Sequence, residues 1–71
     1  MSLRMKILEY LNDNEDANFL QMSKDLKLDS YILATELKIL VDKGSVIAYK
    51  GGFYSLTPEG MRELMQLKGR I

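Results

Sequence analysis

The sequence predicts an α+β domain in which three helices precede a two-stranded β-hairpin and a fourth helix follows it. Gly44 ends the third helix, because glycine adopts the left-handed backbone of a helix C-terminus at little cost. Two runs of β-branched, aromatic and leucine residues, 46–49 and 53–56, flank Gly51 and Gly52, which is typical of a hairpin. A threonine, a proline and a glutamate at 57–59 then start a new helix.

The spacing of apolar residues locates the remaining helices. The first is expected over 3–12 with Ser2 as its N-cap, and the polar segment that follows it breaks the helix. The second begins near Asn18 or Phe19 and ends near Leu26. The third spans 30–43 after a cap at Asp29 or Ser30, and the last spans 58–68. In the third helix, the apolar residues Leu33, Leu37 and Leu40 lie within a narrow arc, which predicts a core-facing side.

Two hairpin registers are compatible with the sequence. A two-residue loop at 51–52 pairs Tyr49 with Tyr54 and Ile47 with Leu56. A three-residue loop at 50–52 instead puts Val46, Ala48, Tyr54 and Leu56 on one face. A slip of one residue moves every side chain to the other face of the sheet, so the two registers expose different residues. Both place Lys50, Gly51 and Gly52 at the exposed tip, and in both we expect the aromatic residues Tyr49, Phe53 and Tyr54 to pack within the hairpin rather than to stack on bases.

Composition bounds the function. The 71 residues suffice for one small domain, 1–71, and there is no cysteine or histidine, which excludes disulfides and metal sites of the thiolate or imidazole kind. A general base would have to be Asp, Glu, Lys or Tyr, and no glycine-rich phosphate loop follows a strand, so we expect neither an enzyme nor a cofactor. The start of the chain lacks the apolar region of a secretory signal, and no apolar run is long enough for a membrane span, so a cytoplasmic location without membrane contact is expected.

Charge is balanced overall but not along the chain. Ten basic and ten acidic residues cancel, whereas a domain that only binds DNA is more often strongly basic. Residues 1–29 carry four basic and six acidic side chains, and residues 30–71 carry six basic and four acidic ones. The half that contains the hairpin is therefore the more basic half.

The pattern resembles the small winged-helix transcriptional regulators. The Leu33, Leu37, Leu40 and Gly44 spacing is similar to their helix-turn-helix core, and the segment 51–60, Gly-Gly-Phe-Tyr-Ser-Leu-Thr-Pro-Glu-Gly, looks like their wing and the helix that follows it. The resemblance covers roughly 3–67 and is closest to compact archaeal winged-helix regulators, more distantly to the MarR and PadR groups. It implies a winged helix-turn-helix, that is, a three-helix core with a two-stranded β-hairpin wing and a C-terminal helix.

The resemblance also implies a partner, double-stranded DNA, and residues that contact it. Helix 30–43 would lie in the major groove with the 46–56 hairpin as its wing. The implied DNA-binding residues are exposed polar positions on the third helix, the wing tip and the second helix: Ser30, Tyr31, Thr35, Lys38, Lys50, Gly51, Gln21 and Lys24. The family often dimerises through terminal helices, so we expect a homodimer whose interface includes Leu64, Leu67 and Ile71.

A second hypothesis stays open. The third helix carries no arginine, which excludes a bidentate arginine–guanine contact from it, and Glu36 and Asp42 lie close to its exposed arc. A winged helix used as a protein-interaction module, without direct DNA binding, would fit these features. Ile32 and Ile39 form a lateral apolar stripe that is either buried by the neighbouring elements or marks a partner surface.

Overall fold

The computed structural model describes residues 2–69, which form an α+β fold of four helices and one three-stranded antiparallel sheet. The predicted helices and both hairpin strands are present, and the first helix is one residue longer than expected. In chain order the elements are α1 Leu3–Asp13, β1 Ala17–Asn18, α2 Phe19–Leu26, α3 Ser30–Lys43, β2 Val46–Tyr49, β3 Phe53–Leu56 and α4 Pro58–Lys68.

Side-chain caps explain where the helices begin. The Ser2 Oγ accepts a hydrogen bond from the Met5 amide at 3.1 Å, and an Asp29 carboxylate oxygen accepts from the Tyr31 and Ile32 amides at 2.9 and 3.2 Å. Thr57 caps α4 in the same way. At the other end of α3, Gly44 has φ +86°, the left-handed conformation that the sequence predicted.

The sheet contains a strand that the sequence did not predict. The strand order is β1-β3-β2, so the two-residue β1 pairs with β3 and lies on the far side of the hairpin. Ala17 lies opposite Tyr54, and Asn18 lies opposite Phe53. Two residues carry no alternating pattern, and their partner is distant in sequence, so the sequence indicated Asn18 only as a possible start of the second helix.

The hairpin adopts the three-residue loop of the two predicted registers. Val46 lies opposite Leu56, Ala48 opposite Tyr54, and Tyr49 opposite Phe53. Gly51 and Gly52 both have positive φ, +87° and +84°, which residues with a side chain rarely adopt. The register therefore puts the Tyr54 side of β3 towards the helices and the Phe53 side outwards.

The core lies between the four helices and the inner face of the sheet. The predicted leucine face of α3 is buried, which confirms that assignment. The fully buried large side chains are Ile7, Leu8, Met22, Leu33, Leu37, Leu40, Val46 and Leu64. The helices within residues 2–69 lack the length and apolar character needed to cross a lipid bilayer.

A network of charged side chains joins α1, α3 and α4 beside this core. Glu63 accepts hydrogen bonds from Lys43 Nζ at 2.8 Å and from the buried Ser45 Oγ at 2.7 Å, and Arg4 approaches it to 3.8 Å. Burial alone would raise the pKa of Glu63, but the hydrogen bonds from Lys43 and Ser45 and the charges of Lys43 and Arg4 outweigh it. The pKa of Glu63 is therefore lower than usual.

Candidate nucleic-acid interface

The outward side of α3 brings four of the predicted contact residues onto one exposed face. Ser30, Tyr31, Thr35 and Lys38 are all exposed, and Tyr31 retains 78% of its accessible surface. The opposite side of the helix is occupied by the buried leucines, so the orientation of α3 follows from its apolar pattern. The Asp29 cap fixes the backbone at the start of this face.

Hydrogen bonding within α3 limits what this face offers. The Thr35 hydroxyl donates to the Tyr31 carbonyl oxygen at 2.8 Å, so its proton is engaged while its oxygen still accepts. Lys38 Nζ lies 3.4 Å from an Asp42 carboxylate oxygen, with the two side chains 77% and 66% exposed. An exposed pair of this spacing contributes only about 0.3–0.5 kcal/mol, so Lys38 remains available to another anion.

Glu36 contributes little negative charge to the exposed face. Arg4 Nε donates to Glu36 Oε2 at 2.7 Å, and only 15% of the Glu36 side chain is exposed. The hydrogen bond to Glu36 is the main reason that the pKa of Arg4 is raised. Of the two acidic residues that the sequence placed near the contact face, Glu36 is thus neutralised from α1, and Asp42 is the exposed one.

The two predicted contacts on α2 differ in their availability. Gln21 Nε2 donates to Asp25 Oδ1 at 2.8 Å, while the Tyr10 hydroxyl donates to Asp25 Oδ2 at 2.7 Å. These two hydrogen bonds, that of Tyr10 first, hold the pKa of Asp25 below its usual value. Lys24 is exposed and forms no ion pair with any residue in 2–69.

The hairpin tip is fixed against α2. The Phe19 amide donates to the Gly52 carbonyl oxygen at 2.8 Å, which links the turn to the first residue of α2. Lys50 and Gly51 are exposed beside this link, and Lys50 forms no ion pair with the described residues. The predicted tip residues therefore lie at the surface on an anchored turn.

The hairpin aromatics divide between the two faces of the sheet. Tyr54 is half-buried against the core, as expected of a residue that packs. Tyr49 and Phe53 instead lie on the outer face, 49% and 40% exposed, with Ile47 beside them at 46%. Sequence reasoning expected all three aromatics to pack, and only the register distinguishes them.

The two predicted dimer residues that the structure describes, Leu64 and Leu67, differ in exposure. Leu64 is 1% exposed and belongs to the core of the single chain, so the structure corrects its assignment to a surface contact. Leu67 is 42% exposed, and Ile71 lies outside the described residues. The lateral stripe of α3 is open to solvent, since Ile32 and Ile39 are 47% and 39% exposed.

A groove of about 610 Å³ lies away from α3, between the end of α1, the end of β3 and the start of α4. Leu11, Leu56 and Met61 contribute its apolar lining, and Glu15 and Asp16 contribute acidic groups. This charge is opposite to what a nucleic-acid phosphate requires. Residues 2–69 contain no cluster of three or more acidic side chains arranged to hold a metal ion.

In comparisons with known proteins, no family model matches the chain and no curated protein matches it. The link to winged-helix regulators therefore depends on the sequence pattern described above.

Proposed function

We propose that this protein is a non-catalytic winged-helix DNA-binding protein of the cytoplasm, a transcriptional regulator that inserts α3 into the major groove and uses the β2–β3 hairpin as its wing. The observation that carries the proposal is the exposed polar face of α3, whose opposite side is anchored in the core. The major groove admits an α-helix, and a helix held in this way presents its side chains without rearrangement.

Most of the affinity would come from phosphate contacts. Lys24, Lys38 and Lys50 are exposed, and none is held in a buried ion pair. Three lysine–phosphate contacts predict that the logarithm of the association constant falls with the logarithm of salt concentration with a slope of about −3 per protein molecule. Base readout would be modest, because Ser30, Tyr31 and Thr35 offer single hydrogen bonds and α3 has no arginine.

A salt titration of binding to a labelled mixed-sequence duplex tests this proposal. We expect binding at about 50 mM salt, and we expect Lys38→Gln and Lys50→Gln each to reduce the salt slope by about 1. Lys6→Gln is the matched control, since Lys6 is an exposed lysine on α1, outside the proposed contact surface. A folded protein that does not bind duplex at this salt concentration, or two variants with an unchanged slope, would contradict the proposal.

A homodimer is part of this proposal, because a two-fold dimer would double the phosphate contacts and match a palindromic site. The exposed Leu67 on α4 is the described residue that supports it. Sedimentation at micromolar concentration should give twice the 8.2 kDa mass of the chain, and Leu67→Ser should shift the species towards monomer. A persistent monomer would remove the dimer and leave the DNA proposal in place.

The exposed apolar stripe favours a second candidate function. Ile32 and Ile39 flank the polar face of α3 at 47% and 39% exposure, and the chain has no net charge. A protein-interaction module would use this stripe, with Tyr31 beside it, to bury apolar area against a partner. Absence of duplex binding by the folded protein would favour this function over the first.

A further inference from the structure

The outer face of the hairpin carries an aromatic pair that the proposed contact of α3 with duplex DNA does not use. Tyr49 and Phe53 are directly opposite each other on β2 and β3, and they retain 49% and 40% of their accessible surface. Side chains opposite each other in an antiparallel pair have Cβ atoms roughly 5 Å apart, so the two rings are neighbours. Ile47, two residues before Tyr49 on β2, lies on the same face.

This pair lies on a rigid support. β1 pairs with β3 on the side away from β2, with Asn18 opposite Phe53, so Phe53 lies on the central strand of the sheet with a paired strand on each side. The Phe19–Gly52 hydrogen bond holds the turn next to it. A ligand that stacks on the rings would therefore lose little of its binding free energy to ordering the protein.

Charge along the hairpin is asymmetric. Lys50 directly follows Tyr49, is exposed, and pairs with no acidic group in residues 2–69. An acidic contact lies towards the other end of the outer face, where Ser55 Oγ donates to Asp16 Oδ1 at 3.2 Å. Since Ser55 is two residues beyond Phe53, this carboxylate is displaced from the aromatic pair by about 7 Å along the strand. A phosphate next to the rings would thus meet Lys50 rather than an acid.

The size of the face favours a base over a folded partner. Ile47, Tyr49 and Phe53 together expose on the order of 300 Å², whereas a stable protein interface buries about 800 Å² on each side. One or two planar bases match the smaller area, and every base has a π-face that stacks on an aromatic ring.

We propose that Tyr49 and Phe53 form a stacking surface for unpaired bases of single-stranded nucleic acid, with Lys50 contacting the adjacent phosphate. This activity is distinct from duplex binding through α3, and either one can be lost while the other remains. The ligand class is a single-stranded oligonucleotide without sequence preference, because stacking does not distinguish base edges.

Fluorescence anisotropy with a labelled thymidine oligomer of about 12 nucleotides provides the test, at about 50 mM salt. Tyr49→Leu and Phe53→Leu keep an apolar side chain but remove the π-face, and each should weaken binding about ten-fold. Lys50→Gln should reduce the salt slope by about 0.7, the value for one phosphate contact on a single strand. Met65→Leu is the matched control, because Met65 is an exposed apolar residue on α4, and it should bind as the unmodified protein does.

Two further measurements separate stacking from other uses of the face. An abasic oligomer of the same length keeps the phosphates and should bind at least ten-fold more weakly than the thymidine oligomer. The protein has four tyrosines and no tryptophan, so stacking should quench tyrosine emission, and Tyr49→Leu should remove most of that quenching.

Three results would overturn the proposal. The first is no binding of the thymidine oligomer by the folded protein. The second is equal affinity for the abasic and thymidine oligomers, which would leave only phosphate contacts. The third is Leu variants that bind the oligomer normally yet change sedimentation, which would make the face a contact between copies of the chain. Circular dichroism of each variant confirms that any lost binding does not come from unfolding.

Discussion

Gly60 lies where α4 packs against the residues at the two ends of the hairpin, and Gly60→Ala tests how tightly these elements are packed. A Cβ atom at this position would lie 2.1 Å from the Ser45 carbonyl oxygen and 2.7 Å from Leu56 Cδ1. The Ser45 oxygen is backbone and accepts a hydrogen bond from the Thr57 amide at 3.1 Å, so it cannot move without disturbing that bond. Overpacking of this kind costs about 1–3 kcal/mol, and a weakened hydrogen bond adds about 1 kcal/mol.

Helix propensity acts in the opposite direction, because alanine is favoured over glycine within a helix by about 1 kcal/mol. The net expectation is a loss of about 2 kcal/mol from a domain of this size, whose total stability is about 3–5 kcal/mol. Urea unfolding followed by circular dichroism measures this loss, with Gln66→Ala at an exposed position of α4 as the control that should change stability by less than about 0.5 kcal/mol. A Gly60→Ala protein as stable as the unmodified one would refute the close approach.

Three further local features are tested by substitution. Lys27 ends α2 with φ +54°, so Lys27→Gly should stabilise the protein by about 0.5 kcal/mol, whereas Lys24→Gly inside the same helix should destabilise it by about 1 kcal/mol. Asp29→Ala removes the α3 cap and should cost about 1 kcal/mol in urea unfolding, while Asp29→Ser should retain most of that stability. The lowered pKa of Glu63 means that its carboxylate stabilises the fold above its unfolded pKa of about 4.5, and that this contribution is lost as the pH falls through the folded value. Stability should therefore fall less steeply below about pH 5 in Glu63→Gln than in the unmodified protein, and identical slopes would contradict this assignment.

The helices and their ends could be predicted because the residue patterns that define them extend over only a few neighbouring residues. The side chains of Asp29 and Thr57 accept hydrogen bonds from the first backbone amides of α3 and α4, as predicted. The left-handed backbone of Gly44 ends α3, also as predicted. The leucine spacing of α3 likewise predicted its buried side, since helical periodicity is a property of the segment itself.

Features that depend on distant partners could not be predicted. β1 exists because Ala17 and Asn18 pair with Tyr54 and Phe53, more than thirty residues later, and two residues carry no periodic signal of their own. The choice between hairpin registers depended on the same sheet, because both loop lengths suit two adjacent glycines. The register decides which aromatic side chains face solvent. The surface proposed for unpaired bases therefore could not be identified before the register was known.

The sequence predicted which side chains of the candidate site are exposed, but not which of the nearby charges are paired. Exposure of Tyr31, Thr35 and Lys38 follows from the helical periodicity that buried the leucines. The sequence also placed Glu36 near that face as an unfavourable charge for DNA, and nothing local indicated that Arg4, on another helix, pairs with it at 2.7 Å. Burial of Leu64 was missed for a similar reason, because an amphipathic helix does not by itself show whether its apolar side meets its own chain or a second copy.

The zero net charge conceals a separation of charge in the folded chain. Three ion pairs join the helices, namely Arg4–Glu36, Lys43–Glu63 and Lys68–Glu9. Their opposite charges cancel on the side where α1 and α4 pack. Among the described basic residues, those in no ion pair within 2–69 are Lys6, Lys24, Lys27 and Lys50, which include the end of α2 and the hairpin tip.

Of the five described acidic residues in no ion pair within 2–69, Asp13 ends α1 and Glu15 and Asp16 lie in the turn before β1. The other two, Asp25 and Asp29, lie on α2 and just after it. An anion approaching the protein would therefore be repelled from the α1–β1 turn and attracted to the hairpin tip, where Lys50 has no acidic partner in residues 2–69, although the total charge is zero. This polarity is the electrostatic condition that both proposals share. Reversing it with Lys24→Glu and Lys50→Glu together should weaken duplex and single-strand binding alike, whereas Tyr49→Leu should weaken single-strand binding selectively.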